Sequence, residues 1–206
     1  MRPTEERIIP DQMDPMNGML LEHIARYHFA IHYCTGDVLD IAAGAGYGTQ
    51  LIAKSCKEKV NSVTGVDLSQ EAITYARGRY HHPLARYLQG NALDSTFMKS
   101  IGPFDTIISF ETIEHVPDDR LFLDRLMSRL NPGGTLILST PFGRGRGKPS
   151  NDPFHTHQLT QDEFRELFKD YPETEFYYQR GVLIEPPRDD MYHPIGIALY
   201  RKLIID

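Results

Sequence analysis

The sequence predicts an α/β domain built on a mostly parallel sheet, and three observations carry that prediction. Short strand-like runs at residues 38–42, 62–66, 104–110 and 135–140 alternate with segments of helical periodicity, the order that gives right-handed βαβ units. The first run is apolar at nearly every position, as a strand covered on both faces must be. Finally, a glycine or polar residue follows each of four strand ends, at Gly44, Asp67, Asn91 and Glu111. In a parallel sheet these positions fall on one rim, at the carboxyl ends of the strands, where ligands bind.

Composition sets the outer bounds. A chain of 206 residues with 40% apolar and 24% charged residues suits one domain with a sizeable core. A formal net charge of −6 argues against a binder of the phosphate backbone, so no nucleic-acid partner is expected. The two cysteines, Cys34 and Cys56, have no metal-type spacing and fit a reducing compartment. No run has the length of a membrane span and the first 15 residues lack the apolar core of a signal peptide, so a cytoplasmic protein without membrane insertion is expected.

Taken in order, residues 1–16 carry Pro3, Pro10, Pro15 and many charges, which predicts an irregular arm that orders on ligand binding. Met19, Leu20, Ile24, Tyr27, Ala30 and Ile31 then recur at helical spacing. Arg26, Tyr27 and His28 in that helix either face a substrate or simply pack at the sheet edge. The first strand, 38–42, runs into Gly44, Gly46 and Gly48, where backbone without Cβ atoms can approach a ligand at the start of a helix over 47–57. A plain glycine turn is the alternative. The unit repeats with a strand at 62–66, then Asp67 and a helix over 69–79. Asp67 lies 21 residues beyond Gly46, the distance at which an acid ending the second strand accepts hydrogen bonds from ribose hydroxyls; helix capping is its other reading.

A weak third strand over 86–89 precedes Gly90, Asn91 and Ala92, and a fourth over 104–110 precedes Glu111, Glu114, His115 and a helix capped by Asp118 or Asp119 that runs to Leu130. Residues 131–134, Asn-Pro-Gly-Gly, predict a sharp turn before the fifth strand at 135–140. The loop 141–158 is rich in glycine, proline and arginine, and its Arg144, Arg146 and Lys148 either hold an anionic substrate group or sit in solvent. Thr160 and Glu163 form a capping box for a helix over 161–169. Runs at 175–184 and 195–204 predict an antiparallel pair at the sheet edge. The division expected is an arm and helix covering the site at 1–34, one domain over 35–206, and a substrate-side loop at 141–158.

Together, the stretch from Val38 through Gly46, Val66-Asp67, Gly90-Asn91-Ala92 and residues 131–136 resemble the class I S-adenosylmethionine-dependent methyltransferases, over about 35–204. That resemblance implies a Rossmann-like, seven-stranded sheet with helices on both faces and only the last strand antiparallel. It implies that S-adenosylmethionine is bound by Asp40, Ala42, Gly44 and Gly46 around the methionine part, Asp67 with Leu68 at the ribose, Asn91 and Ala92 beside the adenine, and Phe110 at the rim. Ala42 stands where the family usually has its first glycine, so the loop is expected to shift slightly. Residues 6–10 and 22–27 resemble more loosely bacterial members found with glycosyltransferase and polysaccharide genes, which points toward a sugar.

Glu111, Glu114 and His115 have the spacing i, i+3, i+4, which on a helical turn puts two carboxylates and an imidazole on one side. Such a set suits Mg2+ or Mn2+. The pattern Glu-x-x-Glu-His resembles the metal-binding motif of ubiquinone-pathway O-methyltransferases and of small-RNA 2'-O-methyltransferases. In the latter a downstream histidine joins; here residues 154–160 offer two, His155 and His157, and His157, just before the helix cap, is the expected fourth ligand. Without metal, His115 acts alone as a base while Glu111 and Glu114 serve the cofactor or the helix cap. The expected reaction is O-methylation of a small-molecule hydroxyl, such as that of a sugar or nucleotide-sugar, with His115, Glu111 and Glu114 catalytic. The competing readings are a phenolic or lipid-like acceptor, an NAD(P)-dependent oxidoreductase, and a cofactor-binding protein without turnover.

Overall fold

The computed structural model describes residues 7–150, 152–188 and 190–204. Sixteen elements follow in order, six of them α-helices, eight strands and two short 3-10 turns. Helix α1 (Gly18–Ile31) leads into β1 (Gly36–Ile41), α2 (Tyr47–Ser55), β2 (Val60–Asp67), α3 (Gln70–Arg79), β3 (Ala85–Gln89), α4 (Ser95–Ser100) and β4 (Phe104–Phe110). Then come α5 (Asp119–Met127), β5 (Leu130–Pro141), α6 (Gln161–Leu167), β6 (Thr174–Arg180), β7 (Leu183–Glu185) and β8 (Ile195–Arg201). The sheet order is β3-β2-β1-β4-β5-β8-β6-β7, with β1 to β5 parallel. β8 runs antiparallel to both β5 and β6, and β6 pairs antiparallel with β7.

The α/β class and the mostly parallel sheet are as the sequence predicts, with one strand more than the seven expected and with β7 as well as β8 running against the rest. The run at 175–184 is two strands, because Gly181 takes φ +58 and turns β6 back into the three-residue β7. The sheet therefore has eight strands and ends on β7. The Asn-Pro-Gly-Gly stretch is a bulge inside β5, not a turn before it: Leu130 already pairs with Phe104, and the register shifts before Thr106 meets Thr135.

Apolar cores lie on both faces of the sheet. Leu39, Ile41, Phe104, Ile107 and Leu136 pack with α5 and α6, while Val38, Ile108 and Ile137 pack with α1 and α2. Asp118 caps α5, and Thr160 and Glu163 form the capping box of α6, as the sequence predicts; Asn17 and Ser69 likewise accept from the first turns of α1 and α3. Residues 7–16 are irregular but docked. Ile9 is buried against Ala45, Ile73, Ala76 and Tyr80, and Asp11 accepts from Tyr75, Arg79 and Tyr80. This part of the arm is thus tied to α3 and to the loop after β1; residues 1–6, including Glu6 of the looser resemblance, lie outside the described residues. No helix among the described residues is long and apolar enough to cross a membrane.

Candidate functional site

The five parallel strands end on one rim, and the order reverses between β1 and β4, the crevice where a doubly wound sheet receives ligands. Ile41 of β1 is level with Val66 on one side and Ser109 on the other, so the loops after β1, β2 and β4 face one another. The loop after β1 is fixed from below. Ala43 N–H donates to Val66 O at 2.9 Å, and Gly44 N–H donates to Asp67 Oδ2 at 2.8 Å. Gly44 takes φ +55, and a Cβ built there would meet nothing within 4 Å, so this backbone faces open space. Gly48 serves packing, since a Cβ would lie 1.9 Å from the Tyr27 ring.

Ala42 keeps a left-handed backbone, φ +58. A side chain thus stands at a backbone conformation that favours glycine. Asp67 combines both of its sequence readings, because Oδ1 also accepts from Ser69 N–H at 2.8 Å while Ser69 itself caps α3. Beside it Leu68 is 68% exposed. Asn91 follows β3, exposed, with its Oδ1 held by Leu93 N–H at 2.9 Å, and Ala92 is half-buried beside it.

Two expected cofactor contacts are turned inward. Asp40 is 1% exposed and accepts from Thr49 Oγ1 at 2.6 Å and Tyr27 Oη at 3.1 Å. Burial pushes its carboxyl up to about 7 against those hydrogen bonds. Its place in the middle of the β1–β2–β4 pairing points it into the α1–α2 interface, so it braces the loop from beneath. Phe110 is likewise buried, its ring 5.1 Å from that of Tyr27, because an aromatic side chain gains more from the core than from the rim.

After β4 the chain makes a single 3-10 turn, Ile113–His115. Glu111 precedes it at φ +48 and accepts from Ser139 Oγ at 2.9 Å, so the three expected ligands do not share one helical face. Glu114 is 1% exposed; Oε2 accepts from Thr140 Oγ1 at 3.1 Å and Oε1 has no hydrogen-bond partner. Burial, reinforced by the Glu111 charge, holds its carboxyl well above the ordinary range. His115 Nδ1 lies 3.1 Å from Phe154 O, which can only accept, so Nδ1 carries the proton and Nε2 offers a lone pair.

The downstream histidine brought to this group is His155, not His157. The ligand atoms of Glu114, His115 and His155 lie within 4.8 Å of one another, and the His115 and His155 rings meet edge to face at 5.0 Å. The loop over 154–157 wraps the 3-10 turn, with Thr156 N–H and His157 N–H both donating to Glu114 O. His157 then turns to the start of α5, where its Nε2 is 3.5 Å from Asp119 Oδ2, a carboxylate also paired with Arg146. Burial lowers the pKa of both His155 and His157.

Helix α1 supplies Arg26, which from the sequence either faces a substrate or packs at the sheet edge. Arg26 is 1% exposed; Nη1 donates to Gln179 Oε1 at 2.7 Å, while Nε has no hydrogen-bond partner. Among the described residues no carboxylate forms an ion pair with it, though its charge acts on Glu114 and on Tyr47, whose buried hydroxyl also lacks a partner. Tyr47 carries no site signal in the sequence, because an aromatic at the start of a helix has no distinguishing pattern, and the two histidines of residues 154–160 cannot be told apart without the fold. A hollow of about 550 Å³ opens beside His155, bounded by Phe142, Arg144, Asp152, Gln158 and Tyr192.

A methyltransferase domain family matches residues 39–138. A probable S-adenosylmethionine-dependent methyltransferase of Mycolicibacterium smegmatis is 33% identical over 171 residues, covering 81% of this chain and 63% of its own length. A ubiquinone biosynthesis O-methyltransferase of Xylella fastidiosa is 34% identical over 129 residues, or 61% of this chain and 48% of its own. The N-methyltransferase NodS of Bradyrhizobium japonicum, solved with S-adenosyl-L-homocysteine, has the same fold: TM-score 0.66 at 16% identity, over 97% of this chain and 93% of that one. The chain spans about three fifths of the length of the first curated relatives it matches, 63% and 59%. With the eight-stranded fold and the loop after β1, these likenesses support a class I S-adenosylmethionine-dependent methyltransferase.

Proposed function

We propose that this chain transfers the sulfonium methyl of S-adenosylmethionine to a hydroxyl of a small-molecule acceptor. The observation that carries this is a pair of buried polar atoms without hydrogen-bond partners, Arg26 Nε and Tyr47 Oη, on the packed helices α1 and α2 beside the loop after β1. Buried polar groups normally find partners, so such a pair marks the place of a polar ligand. An amino-acid head fits it: the carboxylate takes the Arg26 and Tyr47 donors. The open backbone at Gly44 receives the rest of the methionine part, Asp67 accepts from the ribose hydroxyls, and Leu68 with Asn91 and Ala92 borders the base.

The group Glu114, His115 and His155 fits a divalent cation, since it offers a buried carboxylate oxygen without a partner and two imidazoles. Two nitrogen donors favour Mn2+ over Mg2+. Bound there, the ion would lower the pKa of the acceptor hydroxyl. The lone pair of His115 Nε2 serves either as ligand or as base, not both at once. In the metal-free form it takes the hydroxyl proton as the new O–C bond forms and the S–C bond breaks, leaving neutral S-adenosylhomocysteine. Sugar and phenolic hydroxyls both suit this chemistry, the second in keeping with the Xylella fastidiosa relative's printed role.

Three measurements test this reading. His115→Ala is expected to lower turnover by about 100-fold or more while S-adenosylhomocysteine affinity stays near wild type; equal loss of both sinks the assignment. Tyr47→Phe and Arg26→Met should weaken S-adenosylhomocysteine far more than methylthioadenosine, which lacks the amino-acid head, whereas parallel loss would make these residues merely structural. Calorimetry with Mn2+ should show binding abolished by His155→Ala and retained by His157→Ala, and the opposite pattern would return the fourth ligand to His157.

A further inference from the structure

We infer that the hollow beside His155 receives an acceptor that carries an anionic group, a carboxylate or a phosphate, and that Arg144 binds that group. The inference rests on the methyltransferase reading above. The hollow, about 550 Å³, is of the size that holds small ligands. It shares His155 with the Glu114, His115 and His155 group, so a molecule lying in it presents one end to the place of reaction.

The other end meets a selected cation. Of the three basic residues in this loop, Arg146 is engaged by Asp119 and its backbone N–H by Glu163, while Lys148 is not among the residues lining the hollow. Arg144 lines it and has no hydrogen-bond or ion-pair partner among the described residues. Gly143, next to it, could not carry a side chain, since a Cβ would lie 2.5 Å from Gln158, and its N–H donates to Leu159 O at 2.9 Å; the backbone that presents Arg144 is therefore anchored. The carboxylate in the hollow, Asp152, accepts from Phe154 N–H at 2.9 Å and lies 4.0 Å from His155 Nε2, on the reaction side. Tyr192, 68% exposed, adds an aromatic face on which a sugar or phenolic ring can lie. A guanidinium with a free fork recognises planar carboxylate and phosphate oxygens, and a neutral acceptor would leave it unused.

The experiment compares matched acceptors on the full chain with S-adenosylhomocysteine bound: 3,4-dihydroxybenzoate against 3,4-dihydroxybenzyl alcohol, and glucuronate and glucose 6-phosphate against glucose. Calorimetry is expected to show the anionic member of at least one pair binding about tenfold or more tighter. Arg144→Ala should bring that member down to its neutral counterpart, Arg144→Lys should restore part of the difference, and S-adenosylhomocysteine affinity should not change. Equal binding within every pair, a loss at Arg144→Ala shared by charged and neutral members, or no binding by any member while S-adenosylhomocysteine binds overturns the inference. If S-adenosylhomocysteine itself fails to bind the wild type, the cofactor reading falls, and this inference falls with it.

Discussion

Ala42 spends its whole existence in the folded chain at φ +58, where an L side chain costs about 1 kcal/mol relative to glycine. Ala42→Gly is therefore expected to raise stability by up to about 0.5 kcal/mol, the larger unfolded-state entropy of glycine taking back the rest of the gain. Urea unfolding measures this; a destabilised variant would mean that the exposed methyl makes contacts that outweigh the strain. Asp40 makes the complementary case of a buried acid. Its carboxyl titrates near 7 in the folded chain against 3.8 for the ordinary group, so the folded state binds the extra proton and stability falls as pH rises from about 4 to 7. Glu114 shifts in the same direction. Asp40→Asn should flatten its share of this slope, so the variant gains on the wild type between pH 5 and pH 8. Thermal melts across that range decide it, and parallel curves would contradict the buried-acid account.

At the scale of elements, local signals and tertiary contacts divide the work. The caps at Asn17, Ser69, Asp118 and Thr160 follow from side chains near in sequence, which is why these helix starts are legible. The short α4, capped by Asp94, is not legible in the sequence because six residues show too little periodicity. The arm is the clearest tertiary override. Its prolines and charges predict an irregular segment, and it is irregular, but Ile9 and Asp11 tie it to α3 and to Ala45 in the loop after β1. Ile9→Ala is expected to cost about 2 kcal/mol of stability and to weaken S-adenosylhomocysteine binding, since it empties the space behind Ala45. Stability lost without any change in affinity would separate the arm from the cofactor loop.

Across the whole molecule, the rim at the ends of β1, β2 and β4 joins the core on one face of the sheet to the core on the other. A ligand seated there stabilises the fold as a unit. S-adenosylhomocysteine at 100 times its Kd should add about 2.7 kcal/mol, a rise in Tm of roughly 5–10 °C for a chain of this size. NAD should give no such rise; a rise with NAD alone would restore the oxidoreductase reading. The sequence by itself determined the α/β class, the parallel strands, the glycine turn and the Glu114-His115 pair, because each is written in residues close along the chain. Only the tertiary structure decided that His155 rather than His157 joins that pair, that Asp40 and Phe110 face inward, that Arg26 is buried with an unpartnered donor and that an eighth strand closes the sheet. Most of those outcomes depend on which side chains meet across long stretches of chain, as His115 and His155 do at a separation of 40 and Arg26 and Gln179 at a separation of 153. Periodicity, capping and turn chemistry act over a few residues and do not reach that far.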